Sequence, residues 1–156
     1  MTRRAVAISL KIPDNEAYTA LVALQRLGVE VERVERSAIL LFDDEGDADA
    51  LVARITRDET IFNPNKHRLS ILDAAKPRWG EVWIEALEPF DSAQGKLPRS
   101  RTRRFATAWR LFGARGTPVK RPVLDMAIER LLCNPSIDRA VTSINASDRD
   151  ISFENE

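Results

Sequence analysis

The dipeptide Asn-Pro occurs twice in this chain, each time between a helical pattern and a strand-like pattern. The pairs are Asn63-Pro64 and Asn134-Pro135, which lie 71 residues apart. Proline cannot continue a helix and disfavours helical geometry in the preceding residue, while asparagine tolerates the left-handed conformation that ends many helices. Each pair therefore predicts a corner where a helix ends and a strand begins. One such corner is an ordinary turn. Two of them, at the spacing of a small α+β module, suggest an internal duplication.

Composition limits the classes of protein that this chain can belong to. Its 156 residues make one ordinary domain or two very small ones, and 44% apolar residues are enough for a core. The 24 basic and 24 acidic residues balance, so total charge gives no reason to expect a polyanionic partner. We expect a cytoplasmic protein with no membrane contact, because the sequence opens without a secretory pattern and contains no apolar run of about 20 residues.

The first half of the chain predicts one complete α+β module. Strands are expected at 4–12, 29–34, 38–42 and 68–72, with helices from Asp14 or Asn15 to Leu27 and from Ala48 to Phe62. Gly28 is a natural helix terminator. The order β-α-β-β-α-β is the ferredoxin-like arrangement, and we assign it to residues 1–76. Helices would cover one face of its sheet, and the other face would be wet or buried against a partner.

The second half repeats this pattern less completely. It predicts a strand at 81–87, helices at 100–112 and 123–132, and a strand at 137–144. Only residues 114–122 separate the two helices, which leaves room for one short strand at most. We therefore predict a degenerate second module at 77–146 with a basic insertion, a loop within 89–99, and a polar tail at 147–156.

The second corner carries a family resemblance. The run Leu131-Leu132-Cys133-Asn134-Pro135-Ser136-Ile137, and more weakly Thr60-Ile61-Phe62-Asn63-Pro64, resembles the small PurS-type subunit of phosphoribosylformylglycinamidine synthase. The opening strand, the helix that ends at Gly28 and the strand pair within 29–42 also match that family in order and length. The resemblance covers about 70 residues well. Its motif is structural rather than catalytic.

The resemblance implies a role without catalysis and without a cofactor. Subunits of that family associate through their sheets and bridge an ATP-dependent synthetase chain to a glutaminase chain in purine synthesis. A tandem copy would resemble one dimer within a single polypeptide. We therefore expect a scaffold or accessory subunit that self-associates through its sheet, binds a larger synthetase or amidotransferase chain, or does both.

A basic segment supplies an alternative function. No acidic residue lies between Asp91 and Asp125, whereas nine basic residues do, so the rest of the chain carries a balance of −9. Arginine and lysine contact phosphates, and interleaved aromatic rings can stack on bases, so residues 96–121 suit a nucleic acid or a nucleotide. The predicted binding residues are Arg99, Arg101, Arg103, Arg104, Trp109, Arg110, Lys120 and Arg121.

Two simpler explanations of the same segment stay open. Phe105, Trp109 and Phe112 have the spacing of a helical core stripe, so the arginines between them would form a solvated face. That face could also dock on an acidic protein surface.

The remaining reactive residue types favour structural roles. Cys133 is the single cysteine, and its apolar surroundings indicate a buried thiol rather than a nucleophile. His67, the single histidine, is expected at the surface of the first corner rather than as a catalytic base. The acidic run from Asp43 to Asp49 has no calcium-loop spacing and suits a helix N-terminus. We expect no catalytic residues and no metal ligands.

Overall fold

A computed structural model describes residues 3–43, 47–87 and 102–143 of the chain. The tail at 147–156 and the loop predicted at 89–99 lie outside the described residues. The strands are β1 (Arg3–Leu10), β2 (Arg33–Asp43), β3 (His67–Ile71), β4 (Glu81–Ala86), β5 (Thr102–Phe112) and β6 (Asp138–Val141). The helices are α1 (Asn15–Arg26), α2 (Ala48–Thr56) and α3 (Arg121–Ala127), which continues as a π-helical turn over Ile128–Leu132.

All six strands form one antiparallel sheet in the order β3-β1-β2-β5-β4-β6. One sheet therefore runs through both of the predicted modules. Its helical face carries Val6, Ile8, Leu40 and Phe42 beneath Leu51 and Ile55 of α2, and Val34, Val82 and Leu111 beneath α1 and α3. The mixed α/β class is as expected.

The second face of the sheet is covered by the chain itself. Its apolar side chains are buried, and Leu72 and Ala75 from the connection between β3 and β4 pack against them. These side chains are Ala5, Ala7, Ile39, Leu41, Trp83, Ala106 and Ala108.

The two halves of the sheet have matching registers. In the first half Ala7 lies between Ile39 and Ser70, and in the second half Trp83 lies between Ala108 and Val141. Ile39 of β2 is therefore equivalent to Ala108 of β5, and the numbers of equivalent residues in these two strands differ by 69. Ala38 and Thr107, which also differ by 69, are paired with each other where the halves meet. This register is that of a two-fold axis passing between Ala38 and Thr107.

The predicted hairpin within 29–42 is wrong, because Arg33–Asp43 form one continuous strand. Glu35-Arg36-Ser37, which separate the two predicted strands, include no glycine, proline or asparagine, and their charges are compatible with an extended strand. Arg36 points to the helical face and pairs with acidic residues at the start of α1. Val29 and Val31 are buried, although they precede the strand.

The helix predicted at 100–112 is also wrong, because residues 102–112 form β5. Trp109 and Leu111 face the helices while Ala108 and Arg110 lie on the second face, which is the period of a strand. The second half therefore contains the same three strands as the first.

Smaller differences concern the helices. α2 ends at Thr56 rather than at Phe62, and turns lead from it into the first corner. In α1 the buried residues are Ala17, Ala20 and Leu24, whereas the large side chain of Tyr18 is exposed.

Candidate functional site

The two Asn-Pro corners contain the same hydrogen bonds at the same positions. Oδ1 of Asn63 accepts from the N–H of Asn65 at 2.9 Å, and Oδ1 of Asn134 accepts from the N–H of Ser136 at 3.0 Å. The carbonyl of each asparagine accepts from the N–H groups three and four residues later, at 2.8 to 2.9 Å. Among the described residues other than glycine, only Arg115 has a positive φ, so neither corner asparagine is left-handed. Asparagine therefore serves here as a side-chain acceptor, not through the left-handed conformation that we expected.

The backbone N–H of each asparagine also has an equivalent acceptor. Asn63 donates to Nδ1 of His67 at 2.9 Å, and Asn134 donates to Oδ2 of Asp138 at 3.2 Å. Nδ1 of His67 carries no proton in this arrangement, because it accepts. The imidazole also contacts the ring of Phe62, with centroids 5.9 Å apart. These contacts give His67 a structural place in the corner.

A further matched bond connects each corner to the central strand of its half. The N–H of Lys11 donates to the carbonyl of Lys66 at 2.8 Å, and the N–H of Leu87 donates to the carbonyl of Ile137 at 2.7 Å. Both of these backbone positions therefore carry lysine in the first corner and a large aliphatic residue in the second.

A third position shows the same change in polarity. Three residues before the asparagine, the first corner has Thr60 and the second has Leu131. Leu87, Leu131 and Ile137, which we call the second-corner patch, are 47%, 41% and 57% exposed. Three of the seven large apolar residues exposed in the described chain thus lie at one corner. Clustering of this kind is typical of an interaction surface.

A cleft of about 500 Å³ lies on the helical face beside the two-fold axis. It forms because α1 packs with α3 over the second half of the sheet, while α2 packs over the first half. Ala38 is exposed here although it lies in a central strand. The floor consists of Ile8, Ala38, Leu40 and Thr107, and the rim includes Asp14, Arg36, Asp58, Thr60 and His67.

An ion-pair network fixes the α1 side of this cleft. Oδ1 of Asp14 accepts from the N–H groups of Glu16 and Ala17, which caps the helix. Arg36 reaches both oxygens of Asp14, from Nε at 3.0 Å and Nη2 at 3.1 Å, and its Nη1 binds Glu16. Each of the three guanidinium nitrogens donates to Asp14 or Glu16, so Arg36 joins α1 to β2.

Three arginines cluster on the second face, where β2 and β4 begin and β5 ends. Arg33, Arg78 and Arg110, which we call the arginine cluster, surround Phe112 and the buried Glu81. The guanidinium carbons of Arg33 and Arg110 lie 4.2 and 5.2 Å from the centroid of the Phe112 ring.

The carboxylates of this region are engaged by two of the three arginines. Glu81 accepts three bonds from Arg78: the backbone N–H at 2.7 Å, Nε at 3.1 Å and Nη2 at 2.8 Å. Arg33 lies 3.4 Å from Glu35. Arg110 is opposite both glutamates in the sheet register, yet its Nε donates to the carbonyl of Trp79 at 3.1 Å. Within the described chain, Nη1 and Nη2 of Arg110 have no hydrogen-bond partner.

The pKa values of two guanidinium groups reflect this arrangement. The hydrogen bond to Glu81 raises the pKa of Arg78 above its usual value. The pKa of Arg110 is lowered, first by burial and then by the charge of Arg78, and the charges of Glu81 and Glu35 act in the opposite direction. Arg110 still keeps its proton at any physiological pH. It is a partly desolvated cation without a carboxylate of its own.

The residues predicted from the basic segment do not come together on one surface. Trp109 points to the helical face and packs against the core, whereas Arg110 lies on the second face. Lys120 and Arg121 begin α3, and Arg121 pairs with Asp125 at 2.8 Å. Arg99 and Arg101 lie outside the described residues. Arg103 and Arg104 belong to β5, but their side chains are outside the described part of the chain.

The other two members of the arginine cluster were not predicted. Arg33 and Arg78 are distant from the basic segment in sequence, and their own neighbourhoods contain glutamates. The strand pairing that brings them to Arg110 could not be read from a pattern that indicated a helix.

Cys133 is half-buried rather than buried, and it follows the π-helical turn in extended geometry. Burial, with the nearby charge of Asp138, raises the pKa of its thiol. Within residues 3–43, 47–87 and 102–143, no group of three histidine, cysteine or acidic side chains is arranged to hold a metal ion. None of the helices there has the length and apolar character to span a bilayer.

No protein-family model matches this chain, and no curated protein sequence is significantly similar to it.

Proposed function

We propose that this protein is a non-catalytic association module, made of two duplicated ferredoxin-like halves, that binds a larger synthetase or amidotransferase chain as PurS-type subunits do. The duplication is supported by the matched hydrogen bonds of the two corners and by the matched registers of the two half-sheets. In each half a central strand lies between the other two, with helices on one face. A fourth strand beside β2 would complete a ferredoxin-like half, and β5 occupies that place.

The second-corner patch is the observation that carries this proposal. The apolar side chains of the second sheet face are already buried within the chain, so we place the association surface elsewhere. Leu87, Leu131 and Ile137 expose aliphatic surface where the first corner carries Lys11, Thr60 and Lys66. Because the backbone is the same in both corners, the fold does not require these apolar residues. Association with a partner chain, which would bury them, accounts for the difference.

The test is capture of a defined partner by a corner variant. Tagged protein at native abundance should recover an ATP-dependent synthetase or a glutaminase chain, identified by mass spectrometry. The double variant Leu87→Lys, Ile137→Lys, which copies the first corner, should lose that partner while keeping its circular dichroism and melting temperature. The matched control is Lys11→Gln, Lys66→Gln, which should keep it.

Two results would contradict the proposal. One is recovery of neither class of chain by the unaltered protein. The other is equal recovery by the unaltered protein and the Leu87→Lys, Ile137→Lys variant, which would move the association surface away from the second corner.

A second function, binding of a nucleic acid or a nucleotide by residues 96–121, has one observation in its favour. Arg110 belongs to that segment, is partly desolvated, and has two nitrogens without partners in the described chain. Phosphate contacts release counterions, so binding to RNA or DNA should weaken steeply as salt is raised. Absence of binding at low salt would contradict this function.

A further inference from the structure

The charge balance around Phe112 favours an anion. Three arginines and two glutamates, Glu35 and Glu81, lie close together at this end of the sheet, on its second face. Their charges sum to one net positive charge. Glu81 accepts three hydrogen bonds from Arg78, and the carboxylate of Glu35 lies beside Arg33. The uncompensated charge therefore resides on Arg110.

The geometry holds the Arg110 side chain in place without occupying its outer nitrogens. The bond from Nε to the carbonyl of Trp79 and the contact with the Phe112 ring fix the plane of the guanidinium. Nη1 and Nη2 remain as a pair of parallel donors, the arrangement that suits two oxygens of a phosphate or carboxylate. Arg33, whose side chain is 55% exposed, contacts the same Phe112 ring and is close enough for its charge to act on Arg110, so it can contribute to binding the same anion.

An exposed aromatic residue is bonded to Arg110 through its backbone. Trp79 adjoins Arg78 in sequence, its carbonyl binds Arg110, and the residue is 49% exposed. An exposed indole offers a stacking surface for a planar ring, and the backbone bond keeps Trp79 close to Arg110 in the fold.

We propose that the arginine cluster and Trp79 form a binding site for a nucleotide, with its phosphate on Arg110 and Arg33 and its base on Trp79. This inference rests on the second of the two proposed functions. It narrows the ligand to a small phosphate ester and the site to four residues, three of which lie outside the basic segment. Glu35 and Glu81 limit the site to a ligand of low charge, because each added negative charge on the ligand is repelled by both carboxylates.

Calorimetric titration of the full chain with adenosine monophosphate, adenosine and inorganic phosphate tests the site. The nucleotide should bind more tightly than either of its parts, and its affinity should fall as salt is raised. Arg110→Gln should weaken nucleotide binding by about tenfold or more, the usual effect of losing a hydrogen-bonded charge. Trp79→Ala should reduce nucleotide affinity without changing that for inorganic phosphate.

Matched variants keep the test independent of folding. Arg115→Gln removes an exposed arginine of the same segment and should leave binding unchanged. Arg33→Gln changes an exposed side chain, so it should weaken binding several-fold even where Arg110→Gln reduces the folded population. Equal affinity of Arg33→Gln, Arg110→Gln and the unaltered protein would overturn the site. Equal binding of inorganic phosphate and the nucleotide would overturn the role of Trp79 and with it the ligand class.

A parallel titration with single-stranded RNA distinguishes this nucleotide site from the broader nucleic-acid-binding function. RNA binding that Arg110→Gln and Arg33→Gln leave unchanged, together with no binding of adenosine monophosphate, would support nucleic-acid binding elsewhere in the segment and overturn the nucleotide site. The Leu87→Lys, Ile137→Lys variant should bind the nucleotide normally, so failure of the association module would not be mistaken for failure of this site.

Discussion

At the scale of single residues, the turn that leads into β4 depends on one glycine. Gly80 has a φ of +72°, and a Cβ there would lie 2.8 Å from Cβ of Pro118 and 2.9 Å from the carbonyl oxygen of Leu111. Gly80→Ala should lower the free energy of unfolding by about 3 kcal/mol, because the strained φ and the backbone overlap act together. Gly116 has nearly the same φ, +71°, with no atom within 4 Å of the added Cβ.

Urea unfolding of both alanine variants checks this prediction. Gly116→Ala should lose only the conformational part, about 1 kcal/mol. Equal losses at the two positions would show that the close approach of Pro118 and Leu111 does not limit the turn.

The thiol of Cys133 gives a residue-scale prediction with a pH dependence. The thiolate is the form that reacts with alkylating reagents, and burial followed by the charge of Asp138 raises the pKa of this thiol. Below the raised pKa, alkylation should therefore be slower than in the urea-unfolded protein at the same pH. The two rates should converge only once the pH exceeds the raised pKa.

Asp138→Asn removes one of the two causes and should shift the rate profile to lower pH. The asparagine can still accept from the N–H of Asn134, so the corner is kept. In urea the variant and the unaltered protein should react equally. An unchanged profile in the folded variant would mean that Asp138 has no influence on the thiol.

Residue-scale features were the most predictable part of the sequence. The start of α1 at Asp14 or Asn15 and its end at Gly28 follow from local chemistry, and in the structure Asp14 is the cap and Gly28 follows the last turn with a positive φ. The position of each Asn-Pro corner was also predicted, although its mechanism was not. The Asn63 and Asn134 side chains bind the backbone, a choice that composition does not separate from left-handed geometry.

At the scale of elements, the segment from 102 to 112 shows where periodicity is ambiguous. Phe105, Trp109 and Phe112 fit a helical stripe, but the same residues are compatible with a strand in which neighbours alternate. Pairing with β2 on one side and β4 on the other favours the strand, and neither partner is visible in a local window. The arginine cluster forms only when this segment is a strand, so the predicted helix gave no reason to group Arg33 and Arg78 with Arg110.

Charge substitutions in β5 distinguish a strand from a helix. Ala106 and Ala108 are both buried on the second face, at 8% and 1% exposure, whereas Thr107 lines the cleft. Ala106→Asp and Ala108→Asp should each lower the free energy of unfolding by about 3 kcal/mol or more, because an unpaired charge would be buried. Thr107→Asp should cost clearly less, since its side chain reaches open space.

Chemical denaturation of the three aspartate variants gives the comparison. The helix predicted from periodicity would bury Ala108 and expose Ala106. Tolerance of Ala106→Asp together with loss of stability in Ala108→Asp would therefore contradict the strand.

At the scale of the whole molecule, the register of the central strands has a two-fold axis, and the cleft lies beside it. The axis between Ala38 and Thr107 relates β2 to β5 and α2 to α3. α1 packs with α3 over one half of the helical face, and the equivalent place beside α2 lies at the cleft. The sequence predicted the positions of the two matched corners. It could not predict that the halves join through β2 and β5, because that pairing spans the chain.

A fragment of residues 1–76 tests this symmetry directly. Without the second half, β2 would lose its partner β5 and expose a long apolar edge. If the halves are equivalent, β2 should pair with β2 of a second fragment about Ala38, and the second α1 should fill the cleft beside α2. We therefore expect a folded, helix-containing dimer in sedimentation and circular dichroism measurements.

Disulfide trapping fixes the register of that dimer. At the axis Ala38 would lie opposite its own copy, at a Cα separation of about 5 Å, which a disulfide can span. Ala38→Cys in the fragment, which has no other cysteine, should therefore form a covalent dimer on mild oxidation. Ser37→Cys is the matched control, because Ser37 would face Ile39 of the other copy and its cysteines would lie apart. An unfolded or monomeric fragment, or equal trapping by both variants, would mean that the halves share their corners and strand registers without being interchangeable.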